Sequence, residues 1–185
     1  MKITQTDING VMVIEPEVFG DERGYFFEAF NARIFRREVA DVTFVQDNES
    51  LSCMGTLRGL HFQKGVAAQA KLVRVIEGKV LDVCVDLRRS SPTFGKWISV
   101  ELSSENHRQL FIPRGLAHGF SVLSGKAIFA YKCDNYYLPK EEGHLNALDP
   151  DLGIDWRISQ GEMLRSAKDL SAPGFFELKE DCFYD

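Results

Sequence analysis

The run LRGLHFQ at residues 57–63 sets Arg58 and His61 among apolar neighbours, and Lys71 follows in QAKLVRV, together with Arg74. Two later segments repeat the pattern, with His118 opening HGFSVLS and Tyr131 inside AIFAYKC. An imidazole exchanges a proton near neutral pH, ammonium and guanidinium groups attract anions, and a phenol has a proton to donate. Such groups in β-patterned segments suggest a lined cavity.

Strand alternation says which of them can meet. In a regular strand Leu57, Gly59, His61 and Gln63 share a face, Lys71 joins Val73 and Val75, His118 joins Phe120 and Val122, and Tyr131 joins Ala127, Phe129 and Cys133. Each polar residue then rides on an otherwise apolar face, as expected for the interior of a ligand-holding jelly roll. Arg58 has the opposite parity to His61, so bringing both into one pocket requires a bulge, for which Gly59 is the natural position. Taken singly, each residue has a plainer reading. His61 is then a hydrogen-bonded strand histidine, Lys71 a guard on a sheet edge and Tyr131 a core aromatic. His107 and His144 read as solvated loop residues, and Asp86, Arg88 and Arg89 as a turn with surface charges.

The elements that must position these groups are mostly strands. GVMVIEP, GYFFEAF, KLVRVIE, KVLDVCVDL, KWISVEL, RQLFIP, HGFSVLS and AIFAYKC recur between turn signals, which predicts a mostly β antiparallel barrel or sandwich. Helices are expected only at residues 31–40, capped by Asn31, and around GEMLRSAKD after Ile158. The 185 residues, 44% of them hydrophobic, suffice for one domain, which at this size buries about 70% of its unfolded surface. A net charge of −5, with basic residues scattered among acidic ones, argues against nucleic-acid and anionic-membrane partners. The four cysteines lack CxxC spacing and read as reduced thiols, and no apolar leader or spanning segment occurs, so a cytoplasmic protein is expected.

Seven blocks in order carry a resemblance: FGDERGYFFEAF, FVQDNES, GTLRGLHFQ, QAKLVRVIEGKVLDVCVDLR, QLFIPRGLAHGFSVLS, YKCDNYYLP and LDPDLGIDW, between residues 19 and 156. The chain resembles the dTDP-4-dehydrorhamnose 3,5-epimerases, nucleotide-sugar enzymes with a cupin-type jelly roll. The resemblance implies a substrate, dTDP-4-dehydro-6-deoxy-D-glucose, inverted at C3 and C5 without cofactor or metal. Both carbons flank the C4 ketone, so a base can remove either proton if the enolate is stabilised, and an acid must return a proton on the other face. By resemblance His61 is the base, Lys71 stabilises the enolate and Tyr131 is the acid. A C-terminal aspartate, Asp169 in LRSAKDL, orients the base. The family pattern LSxKD is broken here at Arg165, and Asp82 is the alternative.

For substrate binding the resemblance implies Arg23, Gln46, Asn48 and Arg58 around the pyrophosphate, His118 near the sugar, Tyr137 on the thymine, and further contacts from Phe26, Glu28, Asp47, Lys71 and Glu142. It also implies a homodimer in which the N-terminal strands, with Arg23, Phe26 and Glu28, reach the partner's site, while the C-terminal segment closes its own. EEGHLNALDP lacks the tryptophan that the family usually carries before its DP pair. A mono-epimerase acting at C3 or C5 alone fits the same residues. A metal-dependent cupin oxygenase fits less well: Gly55 and His61 match GxxxxxHxH, but the second histidine is Gln63 and Lys71 follows where a carboxylate is needed. A non-catalytic sugar-binding jelly roll would need no His61, Lys71 and Tyr131 together.

Overall fold

A computed structural model describes residues 1–185. Its elements in chain order are β1 (Lys2–Gln5), β2 (Met12–Glu15), β3 (Phe19–Asp21), β4 (Gly24–Phe26), α1 (Ala32–Glu38), β5 (Gln46–Cys53), β6 (Leu57–Gln63), β7 (Lys71–Glu77), β8 (Lys79–Asp86), β9 (Trp97–Ser103), β10 (Gln109–Ile112), β11 (Leu116–Val122), β12 (Lys126–Cys133), β13 (Glu142–His144) and α2 (Ala167–Leu170), with short 3-10 turns between some of them. Two antiparallel sheets face one another as a jelly roll, six strands in the order β1-β2-β10-β7-β12-β5 and five in the order β13-β6-β11-β8-β9. Strands β3 and β4 form a separate hairpin.

Alternating side chains build three layers of packing. Val73 and Val75 of β7, Val80 and Cys84 of β8, Phe120 and Val122 of β11, and Ala127 and Phe129 of β12 fill the space between the sheets. The opposite faces of β6 and β8, with Leu57, Leu60, Phe62, Leu81, Val83 and Val85, are covered by Leu145, Trp156, Phe175 and Leu178 from the C-terminal third. Burial on both faces explains why VLDVCVDL reads as an almost continuous apolar run. Each large side chain so buried contributes about 1.5–3 kcal/mol. On the outside of the six-stranded sheet, Phe35 of α1 packs with Ile14, Leu72 and Phe111. Asn31 caps α1 by accepting from the backbone N–H groups of Arg33 and Ile34.

Several local expectations change. GYFFEAF is extended only over Gly24–Phe26, and the region after Ile158 yields a 3-10 turn and the four-residue α2 rather than one helix. Asp86 is no surface charge: it is fully buried and accepts from Arg88, Ser91 and Thr93. The three donors gather there because a buried carboxylate must be hydrogen-bonded. His144 lies in β13 rather than a solvated loop, whereas His107 is a loop residue whose ring packs on Tyr25 and Phe27. No helix is long and apolar enough to cross a membrane.

Candidate active site

The bulge needed to bring Arg58 and His61 together is present. On β11, His118 pairs with His61 and Phe120 with Arg58, so the two residues Gly59 and Leu60 stand opposite the single residue Gly119. Directly paired residues point the same way, and Phe120 points inward, so both Arg58 and His61 do too. Leu57 and Leu60 turn outward into the second core layer, which corrects the regular alternation. The same registers send His144 and Glu142 of β13 inward beside His61 and Gln63. Gly59 has φ +119°, and a Cβ there would meet Gly119 Cα at 2.6 Å. Only glycine lets β6 and β11 approach this closely.

His61 Nε2 donates to Asp169 Oδ1 at 2.5 Å. The donor's direction follows from the carboxylate, which is an acceptor when ionised. Burial works to raise the Asp169 carboxyl, but hydrogen bonds from His61 and Ser166 outweigh it and hold it below the usual range. Its segment is anchored twice. Leu57 N–H donates to the Leu164 carbonyl and Leu164 N–H to the Gly55 carbonyl, while Arg165 donates to the Asp169 carbonyl and to Asn146 Oδ1. Arg165, where the family pattern is broken, thus holds the aspartate in place. Asp82, the alternative partner, is engaged elsewhere: its Oδ2 lies 2.9 Å from His118 Nε2.

Across the barrel, β7 and β12 bring Lys71, Tyr131 and Cys133 inward. The Lys71 ammonium lies 5.9 Å from the centre of the Tyr131 ring. Burial shifts Lys71 downward, against the opposing charges of Cys133, Asp82 and Glu142. Burial likewise raises Tyr131, keeping its phenol protonated at neutral pH, raises Asp82 and lowers His118. The interior therefore presents a carboxylate-held imidazole on one sheet and a cation with a phenol on the other.

The implied binding residues divide by strand face. Pairing with Tyr131 and Cys133 turns Asn48 and Gln46 inward. Gln46 donates to Asn48 Oδ1 and accepts from the Tyr137 backbone N–H. Asp47 has the opposite parity and is paired outside with Lys132 at 2.9 Å, so the interior does not include it. Arg58 donates to Ser52 Oγ. Glu142 accepts from Lys168, and its carboxylate neighbours the exposed Tyr137. Arg23 and Phe26 are on the exposed β3–β4 hairpin, where Arg23 pairs with Asp21, and Glu28 accepts from Asn31. None of these three touches the site of its own chain. His144, which the sequence places in a solvated loop, faces the same interior: its ring stands edge-on to His61 with centroids 4.9 Å apart. A strand as short as Glu142–His144 leaves too little alternation to detect.

The family described as dTDP-4-dehydrorhamnose 3,5-epimerase matches residues 5–177. A protein of Salmonella typhimurium named dTDP-4-dehydrorhamnose 3,5-epimerase is 54% identical over 174 residues, 94% of each chain. A crystal structure of dTDP-6-deoxy-D-glucose-3,5-epimerase from Legionella pneumophila, in complex with dTDP-4-keto-L-rhamnose, superposes with a TM-score of 0.95 at 46% identity, covering 99% of this chain and 97% of the other. A 3'-monoepimerase of Streptomyces bikiniensis, solved with dTDP-quinovose, superposes with a TM-score of 0.84 at 36% identity over 91% of this chain and 85% of the other.

Proposed function

The chain belongs to the dTDP-4-dehydrorhamnose 3,5-epimerase family, and from that premise we propose that it inverts C3 and C5 of dTDP-4-dehydro-6-deoxy-D-glucose, giving dTDP-4-dehydro-L-rhamnose. The observation that carries this reading is the opposition of His61, held by Asp169 on one sheet, to Lys71 and Tyr131 on the other. With Nε2–H committed to Asp169, the lone pair of His61 is on Nδ1, free to take a proton from the carbon beside the ketone. Asp169 stabilises the imidazolium that forms. The enolate oxygen gains charge as the proton leaves, and the buried Lys71 ammonium is the cation that offsets it in a low-dielectric interior. Tyr131 then returns a proton from the face opposite His61. Once His61 has passed its proton to solvent and Tyr131 has regained one, repetition at the second carbon completes the inversion with no net redox change, so no redox cofactor is required.

Arg58, Gln46 and Asn48 serve the pyrophosphate in this reading, for which guanidinium and amide donors are suited, with His118 near the sugar and Tyr137 and Glu142 at the outer end. Residues 1–185 act as one domain in a homodimer, with Arg23, Phe26 and Glu28 of the hairpin region given to the partner's site. Likeness to a 3'-monoepimerase supports a second reading, inversion at one carbon. Turnover in D2O followed by proton NMR separates them. The expected product carries solvent deuterium at both C3 and C5. Label at one carbon alone selects the mono-epimerase, and no label with bound sugar returns the chain to a binding role.

A further inference from the structure

The proton transfers above use His61 and Asp169 and leave their neighbour His144 without a part. Its Nδ1 is buried with no hydrogen-bond partner, and its Nε2 lies 3.3 Å from Glu142 Oε2. A carboxylate beside Nε2 keeps the proton there and leaves the lone pair on Nδ1. Metal-ligating histidines are commonly prepared in this way, with the second ring nitrogen bound to a carboxylate. Glu142 is steadied in turn by Lys168 at 2.8 Å. His61, His144 and Asp169 each bring one ligand atom to within 4.8 Å of the others. Two imidazoles and a carboxylate are a donor set suited to zinc and poorly suited to magnesium or calcium.

We propose that His61, His144 and Asp169 form a site for a divalent transition-metal ion, zinc above all, and that filling it switches epimerisation off. The switch, though not the site, rests on the reading of His61 as the base. Zinc takes the place of the Nε2 proton that His61 shares with Asp169, and the neutral ring then carries its proton on Nδ1. That nitrogen was the one with a lone pair for the substrate, so the metal-bound ring is no longer a base. The His61–Asp169 contact must open from 2.5 Å to roughly 3.3 Å, the spacing of ligands about a tetrahedral zinc. The short α2 segment that carries Asp169 is the element that moves. This site shares His61 with the oxygenase motif but takes His144 and Asp169 in place of the motif's second ligand position, Gln63. Lys71 lies on the opposite sheet.

The test uses the whole protein, stripped with a chelator and dialysed, and Zn2+ alone as the probe. Calorimetric titration against a competing chromophoric chelator should show one equivalent of zinc per chain. His144→Ala and His144→Gln should each weaken binding at least about tenfold, and zinc should inhibit each variant correspondingly less than the wild type, each measured against its own metal-free rate. Wild-type turnover should fall as the equivalent fills and return with EDTA. Co2+ in place of zinc reads the ligands without any variant: four-coordinate visible bands without thiolate charge transfer are expected. Absence of binding, equal binding by wild type and both variants, or thiolate bands from the exposed Cys53 would overturn the site. Zinc bound through His144 with turnover unchanged would overturn the switch and count against His61 as the base, leaving the metal site standing.

Discussion

His61 and Tyr131 approach the cavity from different sheets, so their removal should leave different isotopic signatures. His61→Asn keeps a polar side chain but offers no nitrogen that accepts a proton near neutral pH. Solvent exchange at the carbon and net inversion should fall together, by about 100- to 10,000-fold, as for loss of a general base. Tyr131→Phe removes one hydroxyl and leaves the ring against Phe129. The enolate should still form and collapse to the starting configuration, so exchange measured by NMR should outrun inversion. Equal, wild-type rates of both in Tyr131→Phe would return this phenol to the role of a core aromatic. The difference between the two variants is chemical rather than conformational, because neither substitution alters the backbone register that aims the side chain.

At the scale of an element, the β6 bulge decides which residues see the substrate. Gly59 meets both demands of the bulge, a left-handed φ and contact with Gly119. Gly59→Ala would set a methyl against Gly119 Cα at 2.6 Å and the His118 carbonyl oxygen at 2.9 Å. The expected loss is about 1–3 kcal/mol, the usual cost of a strained backbone position, read as a lower urea midpoint with turnover impaired. Gly125→Ala, with no atom within 4 Å of the added Cβ and no positive φ, should be neutral or slightly stabilising through the unfolded chain. Similar losses in both variants would mean that the close approach of β6 to β11 carries no special constraint. The bulge thus links stability and activity: the same glycine that permits the approach also turns His61 inward.

One pair of strands joins neither sheet of the barrel. The β3–β4 hairpin exposes Phe19, Tyr25 and Phe26, the last 70% accessible, and its inner end rests on His107. Exposed aromatics grouped beside an arginine fit a surface that is buried on a second copy. Light scattering should give a dimer. Co-refolding of inactive His61→Asn and Arg23→Ala chains should recover about a quarter of wild-type turnover, because half the random dimers then contain one intact site. No recovery from a mixture that does dimerise would assign Arg23 to its own chain. Dimer formation and arm exchange are therefore read by separate measurements.

What the sequence determined by itself was most of the strands, though not β1, β3, β5 or β13, and the residue types they carry. LRGLHFQ, KLVRVIE and AIFAYKC are strands within a residue of the bounds read from them, because alternation and turn residues are local signals that survive folding. The demand for a bulge at Gly59 was legible too, since parity alone separated Arg58 from His61. Tertiary structure decided the pairings. Asp169 is favoured over Asp82 as the partner of His61 by resemblance alone, and the β8–β11 register, which gives Asp82 to His118, and the tethering of Leu164 to β6 are what divide them. The same holds for Asp86, drawn inside by three donors from its own turn, for Asp47, set outside by one step of parity, and for His144, delivered by a three-residue strand. A contact between residues 61 and 169 depends on where distant segments close on one another. The free energy of that closure comes from buried surface such as Trp156 and Phe175, which no local pattern around His61 encodes.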